Sequence, residues 1–234
     1  MKEMTLMNAI KDNKLLSIFS FSFIAIFIFL GIWQLERADQ KTVLMEEFQT
    51  KQTQEPEPLS QSSLEWSRVY VEGFYDPTRQ ILIDNQIDKS KAGYKIFTPF
   101  YLNERKLIMI DRGWIPQGIT RNDLPDIAFI SPKIRVVGTL IVPEAGVVAG
   151  DELITNLWPK VSQTKSLKTI SSGFSEEIYS KVLVLDPNSK FSAKYIPTEP
   201  FAITPIKHYG YAVQWFAMSI VLLGMFLYAL RRES

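Results

Sequence analysis

The sequence predicts a membrane protein of the α+β class, with two transmembrane helices flanking a mostly antiparallel β domain, a small barrel or sandwich. Leu15–Trp33 and Tyr209–Leu230 carry no charged residue, and each is long enough to cross the hydrocarbon of a bilayer as a helix. Between them lie short runs of β-branched and aromatic residues separated by turn residues, without long helices alternating with strands. The chain has no cysteine. An exported domain of this size therefore rests on an ordinary apolar core, and thiol-disulfide or copper-thiolate chemistry is excluded.

Residues 1–14 read as a tail with Lys2, Lys11 and Lys14. The apolar run 15–33 leaves through Gly31-Ile-Trp-Gln-Leu-Glu-Arg37, which lacks the small-x-small pattern of a cleaved signal, so it reads as a retained anchor. Arg231 and Arg232 close the chain in a short tail, 231–234. Lysine and arginine in both tails direct both termini to the cytoplasm and the central domain to the periplasm. A tail too short for a mitochondrial targeting peptide favours a bacterial inner membrane. Residues 34–54 are charged and helix-friendly, with Gln34, Arg37/Ala38 and Lys41 along one stripe, and Glu55-Pro-Glu-Pro58 breaks the helix.

Residues 55–207 are the β-rich exported domain. Strand signals lie at Arg68–Tyr75, Gln80–Ile83, Gly93–Leu102, Lys106–Ile110, Ile134–Val142 and Ile178–Leu185. Asn103-Glu104 turns one into the next, Asp84-Asn85 closes another, interior Gly73 suggests a bulge or sharp bend, and interior Gly138 a bulge. Residues from Glu144 to Phe174 are less regular, with a Ser/Thr-rich run that is partly helical. A second membrane helix covers 208–230.

With 26 Lys+Arg against 25 Asp+Glu, net charge suggests no nucleic-acid partner. His208 is the only histidine and stands at a membrane boundary, which disfavours Ser-His-Asp chemistry. Asp84, Asp88 and Asp111 lie near turns, where acids cap or are solvated. There is no phosphate-binding glycine loop and no Cys/His cluster. Nothing requires an enzyme.

Two constellations remain. Trp33 and Arg37 read either as an interfacial belt or, with Gln34, as hydrogen bonds and charge offered to an anionic partner. His208 reads either as an interfacial polar residue between aromatic neighbours or as an axial haem-iron ligand. A helix that includes His208 carries Trp215, Ser219, Leu222 and Phe226 on the same face. Gly210, Ala217 and Gly224 fall on the opposite face, where small residues admit a neighbouring helix. Arg112-Gly-Trp-Ile-Pro116 reads as a buried tryptophan at a barrel end, or as a contact surface.

These motifs run in order: Leu30-Gly-Ile-Trp-Gln-Leu-Glu-Arg37, Val71-Glu-Gly-Phe-Tyr75, Gly93-Tyr94 with Thr98-Pro99, Asp111–Pro116, Val137-Gly138, Asn156-Leu-Trp158 and His208-Tyr-Gly-Tyr-Ala-Val-Gln-Trp-Phe216. Together they resemble the surfeit-locus-protein family of cytochrome c oxidase assembly factors, in its bacterial form. The resemblance implies a non-enzymatic role in assembling haem-a-containing oxidase, near delivery of haem a to subunit I, with haem a synthase as a further partner. It implies His208 as the iron ligand. Arg37 or Lys207 then meets a propionate, Trp215 lies beside the ring, and Trp33 and Gln34 stand at the same depth. Thr204-Pro-Ile-Lys207 departs from the Arg/Asn-rich residues usual before that histidine, and Lys207 replaces charge but not bidentate geometry. The competing expectation is a haem-free scaffold that stabilises oxidase subunit intermediates.

Overall fold

The computed structural model describes residues 10, 13–119, 123–129, 132–143, 155–187, 189–197, 200–201 and 203–232. Lys2, Lys11 and the first part of the irregular segment, 144–154, lie outside them. In chain order the elements are α1 (Lys14–Gln52), β1 (Glu57–Pro58), β2 (Arg68–Tyr75), β3 (Ile81–Asp88), β4 (Lys91–Asn103), β5 (Lys106–Pro116), β6 (Ile134–Ile141), β7 (Lys160–Ser162), α2 (Leu167–Ser171), β8 (Glu177–Leu185) and α3 (Pro205–Arg232). The chain forms two compact units, one of residues 1–47 with 199–234, the other of residues 48–198.

The first unit is a helix pair. Both α1 and α3 are long and apolar enough to cross a membrane, and a helix satisfies its own backbone groups in lipid. Proline at the first helical position opens α3 at no hydrogen-bond cost. Arg231 and Arg232 occupy its last turn, where cations meet the negative end of the helix dipole.

The second unit resolves barrel against sandwich. Its sheet runs β1-β2-β6-β8-β5-β4-β3-β7, and an added β2–β4 pairing closes β2, β6, β8, β5 and β4 into a barrel. Most pairs are antiparallel, but β5–β8, β3–β7 and β1–β2 are parallel. Strand β5 shows why its sequence is continuously apolar. Ile108 and Ile110 enter the barrel core with Tyr75, Phe100 and Leu183, while Leu107 and Met109 face a second core with Ile81, Phe97 and Ile170 of α2. A strand buried on both faces has no polar side to alternate with.

Gly73 and Gly138 are close-approach positions rather than bulges, since their ladders run without a register shift. A Cβ on Gly73 would lie 1.9 Å from the Tyr101 carbonyl oxygen. At that residue β2 leaves β6 and closes onto β4, through Phe74 opposite Tyr101. The irregularity lies instead at Asp84-Asn85, where β3 does not end: its register with β4 shifts between Ile83 and Gln86, and Asn85 takes φ +59°. An asparagine tolerates that left-handed conformation. Within this unit Gln52 donates to the Trp66 carbonyl and accepts from the Thr139 hydroxyl.

Candidate functional site

The helix pair packs differently from the small-residue reading. On α3, Ala212, Ser219 and Phe226 are buried, with His208, Trp215 and Leu222 half-buried on the same face, while Gly210, Ala217 and Gly224 are exposed. A Cβ built on Gly210 or Gly224 would touch nothing within 4 Å. The close approach is supplied by α1 instead: a Cβ on Gly31 would sit 2.6 Å from the Phe216 ring. Ser17, Ser20 and Ala38 are likewise buried on α1. Small residues on the first helix therefore receive bulky residues of the second, which leaves the stripe of α3 unused for packing.

At the head of α3 the pair makes its decisive polar contact. His208 Nδ1 lies 2.7 Å from Gln34 Oε1. A carbonyl oxygen only accepts, so Nδ1 carries the hydrogen of this bond and Nε2 is the ring nitrogen that the bond leaves unengaged. One residue on, the Tyr209 hydroxyl donates to Asp39 at 3.0 Å. Lower in the pair, the Trp215 and Phe27 rings lie 5.7 Å apart, and Phe27 continues into Phe23 and Phe19 at spacings of 6.0 and 4.5 Å.

Helical phase distributes the remaining residues. At 100° per residue, Gln34, Arg37 and Lys41 fall on the α1 flank that continues downward as Phe27, Phe23 and Phe19. Lys207 falls on the corresponding flank of α3. Among the described residues, none of the cations Arg37, Lys41 and Lys207 forms a salt bridge. Arg37 donates to Gln40 Oε1 at 3.0 Å and lies 5.8 Å from the centre of the Trp33 ring. Lys41 lies 4.5 Å from the Phe201 ring centre. Trp33 is 40% exposed on the far side of Arg37 and belongs to the apolar surface rather than to the His208 cluster.

The donor set is of a kind that could hold a haem. A histidine ligand for haem iron needs a neutral ring with one nitrogen fixed by an acceptor, which Gln34 provides. Arg37 and Lys207 would be the groups to hold anionic propionates, and the groove lower on that flank is lined by apolar side chains. Sequence reasoning named His208, Gln34, Arg37, Lys207 and Trp215, but missed Phe27 as the partner of Trp215. The Phe19, Phe23, Phe27 spacing was the available signal.

In the β unit, Arg112–Trp114 is interior rather than a contact surface. Trp114 is 5% exposed and donates to the Gln86 carbonyl at 2.9 Å. Arg112 is 8% exposed and donates to the Phe191 carbonyl and to Gln80 Oε1, each at 2.7 Å. Burial lowers its pKa to about 10. Gly113, with φ +108°, is required between them. Asp111 lies mid-strand and buried, paired with Lys95 at 2.7 Å, rather than near a turn. Arg79, Tyr101 and Glu176 form a further charged cluster. The Arg79 guanidinium and the Tyr101 hydroxyl donate to Glu176 and hold its carboxyl down at about 2.

A model of the SURF1 family matches residues 21–220. The chain belongs to the SURF1 family. A SURF1-like protein of Rickettsia felis is 23% identical over 86% of the chain and 91% of its own length. The cytochrome oxidase assembly protein SHY1 of Saccharomyces cerevisiae is 31% identical over 38% of the chain and 25% of its own length. Surfeit locus protein 1 of Xenopus tropicalis is 24% identical over 55% of the chain and half of its own length. The matched span of the family model runs from within α1 into α3 and so contains both Gln34 and His208.

Proposed function

We propose that this chain is a non-enzymatic assembly factor for haem-a-containing cytochrome c oxidase, holding haem a as cargo at His208 and assisting its insertion into subunit I. The observation that carries the reading is the Gln34–His208 hydrogen bond, which engages Nδ1 and would leave Nε2 as the nitrogen to meet iron. Membership of a family with a relative named for oxidase assembly supports the broader role. Haem a supplies the redox iron of the oxidase itself. In this chain Gln34 orients the imidazole, Arg37 and Lys207 meet the propionates, and Trp215 with Phe27 borders the macrocycle. The chain sits in a bacterial inner membrane with both termini cytoplasmic and the β barrel periplasmic, in keeping with Lys14, Arg231 and Arg232 at the helix ends. Haem a synthase would hand the haem over, and a single protein ligand suits a carrier that must release to its acceptor.

The test is purification from cells that make haem a. Wild type should carry haem with a histidine-ligated spectrum, and His208→Ala should lose both the haem and that spectrum. Haem-free wild type would favour the scaffold role, and an unchanged spectrum in the variant would remove His208 as ligand.

A further inference from the structure

Below the Phe27–Trp215 pair a groove of about 490 Å³ runs along the helix pair. One wall is the ladder of Phe19, Phe23 and Phe27, and the other includes Ala217, Met218 and Leu222 of α3. It opens on the flank that carries Gln34 higher up, and Phe27 belongs both to the groove and to the aromatic pair beneath His208. Ala217 is the middle member of the exposed stripe Gly210, Ala217, Gly224, and a Cβ on either glycine would touch nothing within 4 Å. Of that stripe Ala217 lines the groove, where a larger side chain would intrude into it.

We infer that this groove holds the isoprenoid tail of the haem, and that the chain thereby distinguishes tailed from tailless haems. The inference rests on the haem-binding reading. The distances agree with it. At about 1.5 Å of rise per residue, Met218 and Leu222 lie roughly 15 and 21 Å below His208 along α3. A macrocycle edge beside the iron ligand and a three-unit isoprenoid chain descending from it span that interval. The walls suit such a chain: aromatic faces offer flat contact to its double bonds, and methionine conforms to its methyl branches. In a bilayer, apolar transfer alone gives no preference, because lipid tails are equally apolar. Discrimination has to come from packing into a shaped groove.

The test uses the full chain in phospholipid nanodiscs, where acyl chains compete for the groove throughout. Haem o and haem b, which differ only in the tail, are titrated and followed by the Soret band. The wild type should prefer haem o by about tenfold, the low end of what an apolar pocket gives for extra carbon. Ala217→Phe should abolish that preference while leaving haem b affinity and its histidine-ligated spectrum unchanged, and Met218→Ala should reduce it. Farnesol should compete with haem o and not with haem b. Equal affinity of wild type for both haems would overturn the inference and leave His208 ligation standing, with acyl chains as the groove's occupant. Loss of both haems from Ala217→Phe, with Met218→Ala indistinguishable from wild type, would also overturn it, because the change would then act on helix pairing. Failure of wild type to bind either haem would remove the ligation reading together with the groove.

Discussion

Replacing Gln34 by methionine removes the acceptor from His208 Nδ1 while keeping side-chain length, and its cost can be bounded. The bond spans 2.7 Å between two half-buried side chains on different helices. Interhelical hydrogen bonds in membranes are worth about 0.6 kcal/mol on average and up to about 1.7 kcal/mol. Since 1.4 kcal/mol is tenfold, loss of orientation alone weakens iron ligation by about threefold to about twentyfold. The imidazole can also turn and present the other nitrogen, and loss of a metal ligand's supporting acceptor commonly costs tenfold or more. The expected result is therefore about tenfold weaker haem binding with retained helix content. Gln34→Glu restores an acceptor and should recover the affinity. Nitrogen-15 spectra of the haem-free protein should show Nδ1-protonated histidine in wild type and a tautomer mixture in Gln34→Met. An unchanged tautomer and affinity in Gln34→Met would refute the argument, because His208 would then be held by something other than Gln34.

Three further outcomes follow from packing and charge. Gly31→Ala places a Cβ against the Phe216 ring and should destabilise the helix pair by about 1–3 kcal/mol, seen as a lower melting temperature in micelles, whereas Gly224→Ala, in open space, should be neutral. The Glu176 carboxyl is held down at about 2 by Arg79 and Tyr101. Its contribution is therefore complete above the ordinary carboxylate range and lost as pH falls toward 2, so Glu176→Gln should flatten that limb of the stability-pH profile. Arg112→Met strands the Phe191 carbonyl in the barrel interior and leaves Gln80 Oε1 with the Thr98 hydroxyl as its remaining donor. At about 1–3 kcal/mol per unsatisfied group, the full chain should unfold at a clearly lower urea concentration without any change in haem ligation.

The sequence made the helices and most strands legible because their signals are local. A charge-free run announces a span, and the Asn103 turn, whose side chain accepts from the Arg105 and Lys106 amides, announces a hairpin. Closure was not legible. Gly73 reads as a bulge or a sharp bend because both, like a close backbone approach, ask the same thing of a residue, and only the β2–β4 pairing separates them. The packing face of α3 was misread for a related reason. Small residues mark where a helix can be approached, and which partner supplies the smallness depends on the other helix, here Gly31. His208 was found through composition, being unique, and Gln34 through phase. The groove stayed hidden because a space is the joint product of two helices distant in sequence.

The order of strands has a consequence for how the molecule is made. Strand β8 lies between β6 and β5, pairing Leu140 with Leu183 on one side and Ile110 with the same Leu183 on the other. Until residues 177–185 arrive, β5 and β6 each present an open edge, and the ring that buries Phe100 and Ile108 cannot close. Nonlocal pairing of this kind is slow and leaves edges exposed to wrong partners. Helix α3, which begins at Pro205, follows soon after β8 in the chain. Barrel closure and synthesis of the His208 helix therefore fall in the same late interval, so a chain stalled before β8 lacks both its sealed domain and His208.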